Sequence, residues 1–182
     1  MGVTTSGGGR ANPIHFERAM VFIDGTNLFQ RLAAAKLRVP RFAAFLPYFL
    51  GGRQLIRAYL YSIEQTVAKA KAIHGDTCFE GVRVVLGEGI PKADGNIKEK
   101  GVDALLVADL VYHAATRNYD YALVVSHDTD FVQGLRRVED FGCRTAVLGL
   151  GGGLPTRLKE ASDFSFEPEL ELLISNHWAI PL

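Results

Sequence analysis

The chain lacks the features that mark several large classes of protein. Its 182 residues include only two cysteines, Cys78 and Cys143, too few for a disulfide framework or a cysteine-rich metal cluster. Cys143 opens an apolar run and reads as a small buried hydrophobe. No apolar stretch approaches the roughly 20 residues needed to span a bilayer. No charged-then-apolar leader is present either, so a cytoplasmic protein without a membrane partner is expected. Charge of one sign is also missing: 20 basic and 20 acidic side chains cancel, and net charge says nothing about a polyanionic partner. No internal repeat is visible.

One absence is local. Between Asp24 and Glu64 there is no acid, while Arg31, Lys36, Arg38, Arg41, Arg53 and Arg57 all fall there. A neutral protein can therefore carry a basic face. The start, Met1 to Ser6, matches the N-myristoylation pattern, but it runs into Gly7-Gly8-Gly9. Residues 1–15 accordingly read as a disordered tail, and residues 16–182 as a single domain, a size that buries a sizeable core without staples.

Hydrophobic residues make up 48% of the chain and charged residues 22%, as in ordinary globular proteins. Their pattern alternates between strands and helices. Arg18 to Ile23 is a short apolar run ending at Asp24-Gly25, as a buried strand followed by a turn would be. Asn27 to Leu37 has helical spacing and stops before Pro40, and Arg41 to Leu50 suggests another helix. Leu55 to Tyr61 and Val82 to Leu86 are rich in β-formers, with an exposed helix over 64–74 between them. Gly87 to Lys100 reads as a polar loop. A helix from Val102 to Thr116 has apolar spacings of three and four. Tyr121 to Val125 is the clearest strand. It is followed by a helix over Phe131 to Phe141 closed by Gly142, a strand over Arg144 to Leu148, and a flexible turn over Gly149 to Gly153.

Alternation of this kind predicts an α/β fold whose central, mostly parallel sheet is covered on both faces. Ligands of such sheets sit outside the carboxyl ends of the strands, where the strand order reverses. Asp24 and Asp128 both follow a strand directly and so are sent to one edge.

Each acid has an ordinary structural explanation. Asp24 precedes a glycine, a common turn, and Asn27 can cap a helix. Either Asp128 or Asp130 can cap the helix near Phe131, as can Ser126. Two carboxylates and two hydroxyls within Ser126 to Asp130 exceed the needs of a cap, however, and paired carboxylates repel unless a cation or proton compensates. Asp103 stands in the first turn of its helix, where the dipole favours an acid. Asp109, within an apolar helix, reads as a hydrogen-bonding support. Hard oxygen donors without a His/Cys cluster point to Mg²⁺ or Mn²⁺ rather than zinc.

Phe22-Ile-Asp-Gly-Thr-Asn27, Lys100-Gly-Val-Asp103 and Val125-Ser-His-Asp-Thr-Asp-Phe131, in this order, resemble the NYN domain. That domain is a branch of the PIN-like nuclease superfamily, and this chain looks most like its LabA-like (DUF88) group. The resemblance covers residues 18 to 150. It implies a Rossmann-like, PIN-type three-layer sandwich and a metal-dependent ribonuclease acting on RNA with Mg²⁺ or Mn²⁺. By position it implies catalytic and metal-binding roles for Asp24, Asp103, Asp128 and Asp130, with Asn27 as a polar helper. Asp103 rests mainly on this resemblance. The family's usual Ser-Gly-Asp-Ser-Asp-Phe reads Ser126-His127-Asp128-Thr129-Asp130-Phe131 here. Thr129 keeps the hydroxyl, and His127 replaces a glycine, where it could contact phosphate or shuttle a proton.

Candidate substrate contacts are Ser126, Thr129, Lys98, Lys100, Arg31 and Arg38. Phe42 or Tyr48 could stack on bases, although Phe42, Phe45 and Phe49 share helical spacing that suits a core. Rival readings are a DNA nuclease, another magnesium-dependent phosphate-processing enzyme, and a silent RNA-binding or regulatory protein. A phosphatase of the haloacid dehalogenase type is disfavoured because Thr26 stands where its second aspartate would. The apolar Leu170 to Leu182 segment is a candidate interaction surface, and a homo-oligomer is among the partners considered.

Overall fold

The computed structural model describes residues 16–93, 95 and 97–182; the tail expected over residues 1–15 lies outside them. In chain order the elements are β1 (Arg18–Asp24), α1 (Gly25–Ala34), β2 (Leu37–Arg38), β3 (Gln54–Ser62), α2 (Glu64–His74) and β4 (Arg83–Leu86). Next come β5 (Glu88–Pro91), β6 (Ile97–Lys100), α3 (Val102–Ala115), β7 (Tyr121–Val125) and α4 (Val132–Glu139). The chain continues through β8 (Arg144–Leu148), α5 (Thr156–Lys159), β9 (Phe164–Phe166), α6 (Glu171–Ser175) and β10 (Ile180–Pro181).

Six strands form one sheet in the order β4-β3-β1-β7-β8-β9, with every neighbouring pair parallel. From β1 the chain steps outward through β3 and β4, then crosses back to β7 and continues to β8 and β9. The order thus reverses between β1 and β7, the position where such sheets take their ligands.

Side-chain alternation in the central strands feeds two cores. Ala19, Val21 and Ile23 of β1 pack with Leu28 and Leu32 of α1 and Ala70 of α2. Met20 and Phe22 pack on the opposite face with Leu106 and Leu110 of α3 and Leu135 of α4. The result is the three-layer α/β sandwich expected. Each fully buried large apolar side chain contributes about 1.5–3 kcal/mol. Exposed ion pairs such as Arg137–Asp140 contribute at most about 1 kcal/mol, so the two cores hold the fold. Among the described residues, no helix is long and apolar enough to cross a membrane.

Several expectations are corrected. Arg41 to Leu50 is not an α-helix but two 3₁₀ turns, Phe42–Ala44 and Leu46–Leu50. Pro47 has no N–H to continue a helical ladder, and the turns bury Phe42, Phe45 and Phe49. Phe42 is therefore core, not a platform for bases. Gly87 to Lys100 contains an antiparallel hairpin of β5 and β6, whose largely exposed, charged residues give no apolar periodicity. The helix expected from Phe131 begins with a 3₁₀ turn, Thr129–Phe131, before α4.

The turn at Gly149–Gly153 is pinned rather than loose. Gly149 N–H donates to Phe166 O and Gly151 N–H to Pro168 O, both at 2.9 Å. Gly151, Gly152 and Gly153 have φ of 79°, 71° and 74°, a left-handed run that side chains resist.

Candidate functional site

The N-terminus of α1 comes so close to β3 that a Cβ on Gly25 would lie 2.7 Å from Tyr61 O and 2.8 Å from Leu60 Cδ2. Gly25 is required for this approach rather than for an unusual φ. Asp24 caps α1: its Oδ1 accepts from Asn27 N–H at 3.0 Å, and its Oδ2 accepts from Ser126 Oγ at 2.7 Å. Ser126 Oγ in turn accepts from Asp128 N–H at 3.0 Å. Asp128 Oδ1 accepts from Asp130 N–H at 2.9 Å. One continuous chain of hydrogen bonds thus stitches the loop after β1 to the loop after β7. The capping explanations hold for Asp24 and Asp128, and they account for how the carboxylates are held in place.

Electrostatics shows that the four aspartates are neighbours. Asp24 is 6% exposed. Burial pushes its carboxyl above the ordinary range, against the hydrogen bonds from Asn27 and Ser126, and the charges of Asp103 and Asp128 push the same way. Asp103, exposed in the first turn of α3, is raised first by desolvation and then by Asp128, Asp130 and Glu99. Such mutual repulsion is what a cation would relieve.

Glu99 was missed by reasoning from the sequence. On β6 it faces inward: Thr26 Oγ1 donates to its Oε2 at 2.5 Å and Thr66 Oγ1 to its Oε1 at 3.2 Å. Strand alternation sends Lys98 and Lys100 to the other face of the hairpin, where Lys100 lies beside Glu88 and Ala104. The signal was the placement of an acid between two lysines within a pairing segment.

His127 is turned away from the acids. Its Nε2 is 2.9 Å from Gly152 O, to which it must donate, and its Nδ1 is 3.1 Å from the Asn27 side-chain amide. Desolvation lowers its pKa most strongly, against the hydrogen bond to Gly152 O, and the atom of the amide facing Nδ1 is Asn27 Oδ1. Arg31 Nη1 also donates to Gly152 O, at 3.2 Å. His127 and Arg31 therefore clamp the glycine turn instead of facing the acids.

The expected basic face is dispersed. Arg53 pairs with Glu17 and lies 4.1 Å over the Tyr121 ring, and Arg41 pairs with Glu80. Arg38 is in β2, beyond the C-terminal end of α1 and so about 15 Å from Asp24 along the helix. Asp109 accepts from Tyr61 Oη at 2.9 Å, joining α3 to β3 as the supporting role predicted.

The donors at the site are carboxylate and hydroxyl oxygens, which suit a hard divalent cation. Among the described residues, no three acidic, histidine or cysteine side chains converge into a ready ligand set. An ion held by one or two carboxylates and keeping most of its water, as Mg²⁺ is, would not need such a set.

A six-stranded parallel sheet with acids lining its point of order reversal defines an α/β protein of the PIN-like kind, a nuclease-type fold. A family model described as the NYN domain matches residues 18–171, and the chain belongs to that family. The crystal structure of VPA0982 from Vibrio parahaemolyticus, a protein of unknown function, superposes with a TM-score of 0.64 at 19% identity. It covers 86% of this chain and 96% of that one, a likeness of fold. The uncharacterized protein y4oD of Sinorhizobium fredii is 33% identical over 76 residues, spanning 40% of this chain but only 36% of that relative.

Proposed function

We propose that the chain is a metal-dependent ribonuclease that hydrolyses RNA phosphodiester bonds. The observation that carries this reading is the crowding of Asp24, Asp103 and Asp128 at the strand-order reversal, where the charges of Asp103 and Asp128 raise the pKa of Asp24 and that of Asp128 raises Asp103. Mg²⁺ or Mn²⁺ held there supplies charge stabilisation on the phosphate and a more acidic water. Asp24 and Asp128, fixed by Ser126, Asn27 and the caps they form, hold the ion. Asp103 and Asp130, exposed at the rim, orient the attacking water and accept its proton. Thr129 hydrogen-bonds the substrate phosphate. RNA is the partner expected from the family resemblance, with the LabA-like group as the narrower affiliation.

The test is cleavage of labelled single-stranded RNA, with DNA alongside, in Mg²⁺, Mn²⁺ and EDTA. RNA should be cut only with metal. Asp128→Asn should lose more than about 100-fold, since even the groups supporting a metal's ligands are worth about 10–100-fold. Full activity in Asp128→Asn would end the proposal, and cleavage of DNA alone would move it to a DNA nuclease.

A further inference from the structure

Between α1 and α2 lies a cavity of about 300 Å³, lined by Phe29, Ala33, Leu37, Ala70, Ile73 and His74, among others. Leu182 also lines it, held by its N–H donating to Lys36 O at 2.8 Å. The acids lie elsewhere: Asp24 caps the N-terminal end of α1, and none of the four aspartates is on the cavity wall. The volume falls at the small end of the range of ligand pockets, roughly 300–1,000 Å³.

His74 is the buried polar side chain on this wall, 4% exposed. A backbone N–H can only donate, so the bond from Val39 N–H at 3.1 Å leaves Nδ1 without a proton and puts the ring's proton on Nε2. That Nε2–H has no partner among the described residues, yet it is not sealed off. Among them, the one unpartnered side-chain nitrogen or oxygen closed to solvent is Ser62 Oγ. Nε2 therefore reaches solvent, and the cavity is the opening that His74 lines. Phe42 and Phe29 pack against the same ring, with centroids 5.2 and 6.1 Å away.

Water is a poor occupant of this position. An ordered buried water makes about 2–4 hydrogen bonds. Of the other polar side chains on the wall, Thr66 already donates to Glu99, and Gln30 and Lys69 are exposed. A single buried donor in apolar surroundings remains. Its complement is a molecule that is apolar over most of its surface and carries one acceptor. The molecule is also uncharged, because one neutral donor does not offset the desolvation of a carboxylate.

We propose that the cavity between α1 and α2 is a binding site for a small, uncharged, mainly apolar molecule, whose single acceptor (a carbonyl or ether oxygen, or a ring nitrogen) takes the His74 Nε2–H. The site stands independently of the ribonuclease reading.

Acetophenone and ethylbenzene, alike in shape and different in one carbonyl, serve as probes with the full chain. Titration of either should shift the methyl resonances of Leu37 and Ile73 saturably. Acetophenone should bind about 2–10-fold tighter, the worth of one net hydrogen bond, and it alone should move the Nε2 resonance of His74. Ala33→Leu puts a larger side chain on the wall in a residue that helices favour, and it should weaken both probes. His74→Phe should retain ethylbenzene and lose the preference for acetophenone. No saturable shift in the wild type, or equal affinity for the two probes, would overturn the site. So would tighter binding of benzoate than of acetophenone, wild-type affinities in Ala33→Leu, or a preference that persists in folded His74→Phe. If His74→Phe does not fold, the wild-type ratio and Ala33→Leu decide. None of these readouts involves RNA cleavage, so the site and the nuclease reading stand or fall separately.

Discussion

Ser126 Oγ donates to Asp24 Oδ2 at 2.7 Å across 102 positions of sequence. The same hydroxyl accepts from Asp128 N–H, so one buried side chain sets the distance between the two loops that carry the acids. Ser126→Ala would leave a buried carboxylate oxygen and a backbone N–H without that partner. An unsatisfied buried polar group costs about 1–3 kcal/mol. Urea denaturation should report a loss of that size, and RNA cleavage should fall through kcat with little change in KM.

Asp24→Asn should separate stability from activity. The folded-state pKa of Asp24 is raised, chiefly by burial, so its ionisation opposes folding. The sign follows: the penalty is absent below the unfolded value near 4 and develops as pH rises through the folded value. In EDTA the variant should melt above the wild type at neutral pH, with the gap closing towards pH 4; with Mg²⁺ supplied it should not cleave RNA. A variant that melts below the wild type throughout would contradict this.

Gly25→Ala tests the close approach of α1 to β3. The added Cβ meets the backbone oxygen of Tyr61 at 2.7 Å, which no rotamer change relieves. The helix must move, at a cost of about 1–3 kcal/mol, and Asp24 moves with its cap. Thermal melting and RNA cleavage should both decline, and added Mg²⁺ should stabilise the variant less than the wild type.

His74 is 4% exposed, and its Nδ1 accepts from Val39 N–H at 3.1 Å. Its pKa is lowered, mainly by desolvation and then by Arg38. A depressed histidine gives stability that is present above about pH 6.5 and lost as pH falls through the folded value. His74→Phe should be less stable than the wild type at pH 7.5, with Val39 N–H stranded. The difference should narrow on acidification, measured by urea denaturation at several pH values.

The legible parts of the site were those fixed by strand ends. Asp24 and Asp128 follow unbroken apolar runs, Val21 to Ile23 and Tyr121 to Val125, and a parallel sheet puts such residues on one edge. Asp103 carried no signal beyond the helix dipole until α3 was seen to start beside the other acids. Glu99 was hidden because Glu88–Pro91 and Ile97–Lys100 pair as a hairpin without an apolar face, so no period of two showed which way each side chain pointed. The aromatic spacing of Phe42, Phe45 and Phe49 correctly indicated burial, yet Pro47 and the tight 3₁₀ geometry broke the helix that the spacing suggested. The role of His127 depends on Gly152, 25 positions away, a partner that no local pattern reveals.

β1 is flanked by β3 and β7, and β7 begins at Tyr121. The central strand of the sheet therefore waits for most of the chain before its second edge is covered, and only then can Ser126 reach Asp24. Such distant pairing is slow because a long loop must close before any contact rewards it. An incompletely folded chain thus has an uncovered β1 edge and no assembled acid cluster. Acquisition of the candidate centre and protection of the sheet from intermolecular pairing are the same late event.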